Sequence, residues 1–293
     1  VLFDADLNLV RTYDVAALDG RAGSGVSAVH DNAPRRSFIA ALEDIPEIWE
    51  ISYDPKAEPV YDGLVHDYKM GEAIGRPGYL NVRRTPLRER LGDFAFDPSG
   101  RHVMGVAHPA GNGVQVINLD ARVKIADVPV AGRPHPGGGV VFAWNGAPVL
   151  ASPNKGDGAI DVIDLIRCMI VRTVATPGPA SFLRSDPATP CLWTGTDGGK
   201  SGDEGPGAFF PAVPDALTII DKRTLEPVTR LDVPGGALAD VGFTRDGRRA
   251  LVSVGGDDGA LVVFDTSFLR EIARLPMRKP LGVYRVGGAA SGH

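Results

Sequence analysis

One histidine stands out for the way its neighbours hold it. His135 lies in Gly132-Arg133-Pro134-His135-Pro136-Gly137-Gly138-Gly139, followed by the apolar run Val140 to Phe142. Prolines on both sides fix φ, and the glycines allow close backbone approach or positive φ. An imidazole fixed in this way can ligate iron, donate a hydrogen bond or move a proton near neutral pH. The same string also reads as a stiff surface turn. Asp31, in Ser27-Ala28-Val29-His30-Asp31-Asn32, is a second candidate. Its carboxylate can take a proton or bind a positive group, or it can close an Asx turn with Asn32 and Pro34. Strand alternation sends His30 and Asp31 to opposite faces, so one of them faces any given cavity.

Arg76, Arg83 and Arg84, with Tyr79 among them, fall in the segment 65–86. Guanidinium groups bind carboxylates bidentately, so a long arginine-rich loop suits a ligand with several acid groups. A solvated basic loop is the plainer alternative. Glu47, Trp49 and Glu50 follow Pro46; an aromatic there can stack on a planar ligand, though filling a core is its more frequent role.

Other chemistries find no motif. The glycine-rich stretch 195–207 lacks the Lys-Ser/Thr and the helix of a phosphate loop, and no GxSxG, HExxH or calcium-loop pattern occurs. Cys168 and Cys191 have neither CxxC nor CxxCH spacing, so these residues encode no metal site and no covalent c-type heme. The two can pair in an oxidising compartment or stay thiols, and the thiol reading is preferred. A net charge of −5 argues against nucleic acid as the main partner. No apolar run approaches the ~18 residues of a membrane span. Val1 opens directly in a strand-like run without a methionine, from which a missing N-terminal part is expected.

The elements that must position these residues come from a repeat. Apolar residues make up 43% of the 293 residues, enough for a sizeable core, while 37 glycines and 24 prolines spread along the chain predict many tight turns. A unit of "strand, Asp or Asn, short turn, strand" recurs at roughly 45–60 residues. It covers 1–15, 48–61, 114–130, 160–175, 217–233 and 261–277, marked by Asp4, Asp54, Asn118, Asp164, Asp221 and Asp265. A complementary unit covers 28–43, 94–108, 140–154, 181–196 and 241–255, twice with an Asp-Gly-type turn, at Asp97-Pro98-Ser99-Gly100 and Asp246-Gly247. Four strands per unit with little helical periodicity predict an all-β chain of β-propeller blades over 1–293, beginning halfway through a blade. Two long segments, 65–86 and 195–214, interrupt the rhythm. His135 then lies on a connection from the last strand of one blade to the first of the next, where propellers bind ligands.

The blade order, Ile45-Pro46-Glu47-Ile48-Trp49-Glu50-Ile51, Gly75-Arg76-Pro77-Gly78-Tyr79 and Pro134-His135-Pro136-Gly137-Gly138-Gly139 resemble the heme d1 domain family. The likeness is strongest to the branch that serves heme d1 biosynthesis in denitrifying bacteria, and it runs over nearly the whole chain. It implies an eight-bladed propeller, here represented by about five and a half blades of one N-terminally incomplete domain. It also implies an iron tetrapyrrole in the central cavity, dihydro-heme d1 or a related heme d1 precursor, and a late step of heme d1 biosynthesis. A periplasmic location follows from the family, with membrane attachment only through a missing N-terminal anchor. The implied partners are cytochrome cd1 nitrite reductase and other heme d1 maturation proteins.

His135 and Asp31 are the implied catalytic residues. His135, Arg76, Arg83, Arg84 and Tyr79 are the implied tetrapyrrole contacts. Where the reductases of the family carry His-Pro-Gly-Arg-Gly, Gly138 replaces the arginine. Where they carry Leu-His-Asp, this chain has Leu91-Gly92-Asp93. Both departures argue against nitrite reduction. A family asparagine corresponds to Arg285. Two other branches fit the same residues: a dihydro-heme d1 dehydrogenase preceded by a c-type heme domain, and a non-catalytic carrier of the pigment.

Overall fold

A computed structural model describes residues 1–61, 75–108, 113–156, 158–196 and 216–282. Two stretches of the predicted long segments, 65–74 and 197–214, and Arg285 lie outside the described residues. The chain divides into two compact units, 1–93 and 94–293.

The first unit opens with the hairpin of Leu2–Phe3 and Leu9–Arg11. A four-stranded antiparallel sheet follows, built in order from Val26–Asn32, Ser37–Leu42, Glu47–Ser52 and Val82–Pro86. Its last strand corrects the sequence reading. The return strand was expected within 48–61, but Val60–Tyr61 instead pairs with Gly75–Arg76 in a small separate hairpin. Pro55 and Pro59 explain the change, because each removes an N–H from a strand placed there. Val82–Pro86 offers four N–H groups and a side chain that fits: the Arg84 guanidinium lies 4.6 Å over the Trp49 ring and 3.0 Å from Glu47 Oε2. Arg83 and Arg84 are therefore strand residues, not loop residues. Trp49 is buried with Ala40, Leu42 and Ile45, the core role.

The next sheet runs Arg90–Phe96, His102–His108, Val114–Asn118 and Val123–Val128, its first strand crossing the boundary between the units. The second unit then holds three more. They are Val140–Trp144 to Met169–Ala175, Ala180–Arg184 to Pro227–Asp232, and Leu238–Phe243 to Arg270–Pro276, each a four-strand meander in chain order. Successive sheets of this unit share apolar layers. Leu150 and Ile163 pack with Met104 and Val116, while Val149 and Val162 pack with Leu183 and Leu192. Trp193, fully buried, meets Phe243 edge-on at 5.9 Å between the last two sheets. Ala159–Asp164 and Cys191–Thr196 are buried at every position, whereas the fourth strands are mostly exposed. No helix among the described residues is long and apolar enough to cross a membrane.

Four of the six markers, Asn118, Asp164, Asp221 and Asp265, form the turns between third and fourth strands; Asp4 and Asp54 do not. Asn118 Oδ1 accepts from the N–H groups of Asp120 and Ala121, and Asp164 Oδ1 from Ile166 and Arg167. Asp221 does the same for Arg223 and Thr224, and Asp265 for Ser267 and Phe268. Four residues after each of these the chain turns left-handed at Arg122, Cys168, Leu225 and Leu269, with φ between 50° and 57°. The next strand pairing starts with a bulge in each case. The expected Asp-Gly turns are also present, with Gly100 at φ 70° and Gly247 at φ 66°. Cys168 and Cys191 are both free thiols.

Candidate functional site

In the second unit, His135 sits on the connection that leads into Val140–Trp144. Its N–H donates to the Pro153 carbonyl at 2.8 Å, and its own carbonyl accepts from the Gly138 N–H at 3.0 Å, closing the short 3-10 turn Pro136–Gly138. Pro134 and Pro136 are buried, whereas His135 is half-buried. The prolines thus anchor the segment and leave the ring at a partly open position. Gly138 has a specific function in this turn. A Cβ there would lie 2.4 Å from His135 Cδ2 and 2.8 Å from Nε2, so the imidazole occupies the space a side chain at 138 would need.

A residue that sequence reasoning missed fastens this loop. Asn154, 2% exposed, donates from Nδ2 to the Ala131 carbonyl at 2.8 Å and to Asp161 Oδ2 at 3.0 Å. Its Oδ1 accepts from the Arg133 and Gly156 N–H groups at 2.9 Å. Asp161, also buried, accepts in addition from Thr173 Oγ1. A buried amide with so many partners fixes the backbone on both sides of Gly132, just before Pro134, since leaving any of these groups unpaired is costly. The signal was an asparagine ending an otherwise apolar strand.

The first strand of the following sheet adds a cation. Arg184 Nη1 donates to the Leu183 carbonyl at 3.0 Å and the Gly138 carbonyl at 3.3 Å, and Nε pairs with Asp240 Oδ1 at 2.9 Å.

In the first unit, His30 and Asp31 point to opposite faces of their strand, as alternation requires. His30 Nε2 lies 2.8 Å from Asp93 Oδ1, each side chain about a third exposed. Asp31 is exposed, and its Oδ1 accepts the Tyr53 hydroxyl at 2.9 Å. Loss of hydration, followed by this hydrogen bond, holds the Tyr53 hydroxyl above its ordinary value. Asp31 is thus a strand residue, not an Asx turn, and His30 with Asp93 is a polar pair that the sequence reading had set aside.

The three arginines do not form one cluster: Arg76 and Arg84 line one cavity and Arg83 another. Arg83 and Arg84 are neighbours on one strand and face opposite ways. Arg83 lines a cavity of about 250 Å³ with Arg35, Glu50, Asp54 and Lys56, and its Nη2 donates to the Glu58 carbonyl. Arg84 lines another, of about 270 Å³, with Arg11, Tyr13, Trp49 and Arg76. Arg84 is already engaged by Glu47, by the Ala16 carbonyl and by the Trp49 ring. Arg76 and Tyr79 are exposed. No cluster of three metal-ligating side chains occurs among the described residues.

Residues 76–289 match the cytochrome D1 heme domain family. The chain belongs to the cytochrome D1 heme domain family. A dihydro-heme d1 dehydrogenase of Pseudomonas aeruginosa is 40% identical over 289 residues, 98% of this chain and 52% of that protein. The solved structure of dihydro-heme d1 dehydrogenase NirN in complex with DHE superposes with a TM-score of 0.78 at 37% identity, covering 95% of this chain and 53% of that one. The chain therefore spans about half the length of these relatives. Hydrazine synthase of Kuenenia stuttgartiensis, at TM-score 0.58 and 15% identity over 83% of this chain and 64% of its own, shares the fold alone. The repeated four-stranded sheets are those of a β-propeller, as the repeat implied, and the structural neighbour is a heme d1 propeller.

Proposed function

We propose that this heme d1 domain binds dihydro-heme d1 and dehydrogenates one of its side chains late in heme d1 biosynthesis. The observation that carries the reading is the 40% identity to a dihydro-heme d1 dehydrogenase across 98% of the chain. The sequence alone had favoured a NirF-type biosynthetic protein and kept the dehydrogenase as the alternative. The relatives favour the dehydrogenase.

The tetrapyrrole is the substrate. Removing two hydrogens from a saturated side chain releases two protons and two electrons. His135, half-buried and held against Gly138, suits the proton acceptor, because its ring is fixed by a stapled backbone and its unperturbed range lies near neutral pH. Asp31 is the second candidate for a proton. The two electrons pass one at a time to an external one-electron acceptor, of which a c-type heme is the class this dehydrogenase reading implies. Arg76 and Tyr79, both exposed, are offered to the acid groups of the pigment. Arg83 and Arg84 serve the scaffold first. A periplasmic location and delivery of product to cytochrome cd1 nitrite reductase, alongside other heme d1 maturation proteins, complete the proposal.

The test is anaerobic incubation of the full-length protein with dihydro-heme d1 and a one-electron acceptor, followed by pigment extraction. Conversion to heme d1 is expected. A Soret shift without conversion would point to a NirF-type protein or a carrier, and no Soret shift at all would remove the tetrapyrrole.

A further inference from the structure

The guanidinium beside the His135 turn is only partly used by the protein. Arg184 Nε forms an ion pair with Asp240 Oδ1 at 2.9 Å, without hydrogen-bond geometry, and Nη1 donates to two carbonyls, those of Leu183 and Gly138. No partner falls to Nη2 among the described residues. The side chain is 31% exposed, while Asp240 is 16% exposed. The Phe182 ring supports the guanidinium from one side, 5.9 Å from its centre. A guanidinium carries five N–H donors in a rigid fork. Here one edge is held by backbone carbonyls and paired in charge with a largely buried carboxylate, and the end away from them is left over. Asp240 balances the charge, so what Arg184 offers a ligand is directed donors more than net charge.

Two further observations aim this group at the ligand. The Gly138 carbonyl that Arg184 holds belongs to the same residue whose missing side chain makes room for the His135 ring. Imidazole and guanidinium are therefore set against one short turn. Arg184 also lies on Ala180–Arg184, the first strand of its sheet, as Asp240 lies on Leu238–Phe243, the first strand of the next.

We propose that Arg184 is a substrate-binding, specificity-determining residue, taking a carboxylate side chain of the tetrapyrrole on Nη2 while Asp240 holds it in place. This inference rests on the tetrapyrrole reading above. It predicts that the site tells a free acid from its ester, because an ester keeps the size of the side chain and loses the charged acceptor.

The test titrates the full-length protein with dihydro-heme d1 and with its methyl ester, following the Soret band. Arg184→Gln should weaken binding of the acid by about tenfold to a hundredfold, the worth of hydrogen bonds to a charged group, and leave binding of the ester within about twofold of the unmodified protein. Arg184→Lys should recover only part of the acid affinity, because an ammonium lacks the fork. Asp240→Asn should weaken the acid less than Arg184→Gln does. Equal affinity of Arg184→Gln and the unmodified protein for the acid overturns the proposal. So does a parallel loss for acid and ester, which would make Arg184 a purely structural group. If the unmodified protein gives no Soret change with either pigment, the tetrapyrrole reading fails first and this inference falls with it. Matching melting temperatures for the variants confirm that folded proteins are compared.

Discussion

The His135 ring and the α-carbon of Gly138 share a space that admits only one side chain: a Cβ on residue 138 would come within 2.4 Å of His135 Cδ2. Gly138 has no positive φ, so the backbone itself accepts alanine. Gly138→Ala should therefore displace the imidazole and little else. The expected outcome is a loss of pigment affinity or turnover of at least about tenfold, about 1.4 kcal/mol, with a stability change of about 1 kcal/mol or less. Spectral titration and thermal melting of the same variant separate the two effects.

The staple behind that turn should behave differently. Asn154→Ala removes four hydrogen bonds from a buried position, leaving buried N–H and C=O groups unpaired. A destabilisation of about 2–4 kcal/mol is expected, read as a lower melting temperature. Asn154→Asp keeps the acceptor but sets a second carboxylate against Asp161, so it should not rescue stability at neutral pH.

The marker acids give a pH dependence of known sign. Asp221 is held below its ordinary value of 3.8, first by the Thr224 N–H and also by the Arg223 N–H. A group whose folded value is depressed stabilises the fold fully above its unfolded value and loses that contribution as pH falls through the folded one. Melting temperature should therefore decline below about pH 4. Asp221→Asn, which keeps an oxygen acceptor but cannot titrate, should show a shallower decline over that acid range. Equal slopes for the two proteins would contradict this account.

Arg122 occupies a left-handed conformation at φ 55° and is exposed. A non-glycine residue there costs about 1–2 kcal/mol relative to ordinary backbone. Arg122→Gly should accordingly be neutral to stabilising by about 1 kcal/mol, and Arg122→Val destabilising. Urea midpoints measured side by side decide the sign.

Arg84 should prove a scaffold residue. Replacing it with alanine removes the pair with Glu47, the bond to the Ala16 carbonyl and the stack on Trp49. A destabilisation of about 2–4 kcal/mol is expected, because Glu47 is left partly buried without its partner. Arg84→Lys should restore only a minor part, since the flat fork is what covers the indole.

The contrast between these residues explains what the sequence could and could not convey. Asp164, Asp221 and Asp265 marked the repeat because an Asx-type turn is local chemistry, complete within about five residues, and so it leaves a readable pattern. His135 was legible for the same reason: its prolines and glycines are its neighbours in the chain. The fourth strand of the first sheet was not, because the choice of Val82–Pro86 over the nearer residues within 48–61 depends on Arg84 meeting Trp49 and Glu47 from 35 and 37 positions away. Arg184 and Asn154 were missed on similar grounds. Neither carries a local motif, and each gains its role from a partner on another strand.

The turns that close each sheet make one more point. Their hydrogen bonds run from backbone N–H groups to a single Asp or Asn oxygen, so residues such as Ala121, Ile166 and Ser267 contribute little beyond their main chain. The outer ends of these four sheets can therefore be rewritten for a new docking partner or a new surface charge, while the loop that carries His135 stays where it is.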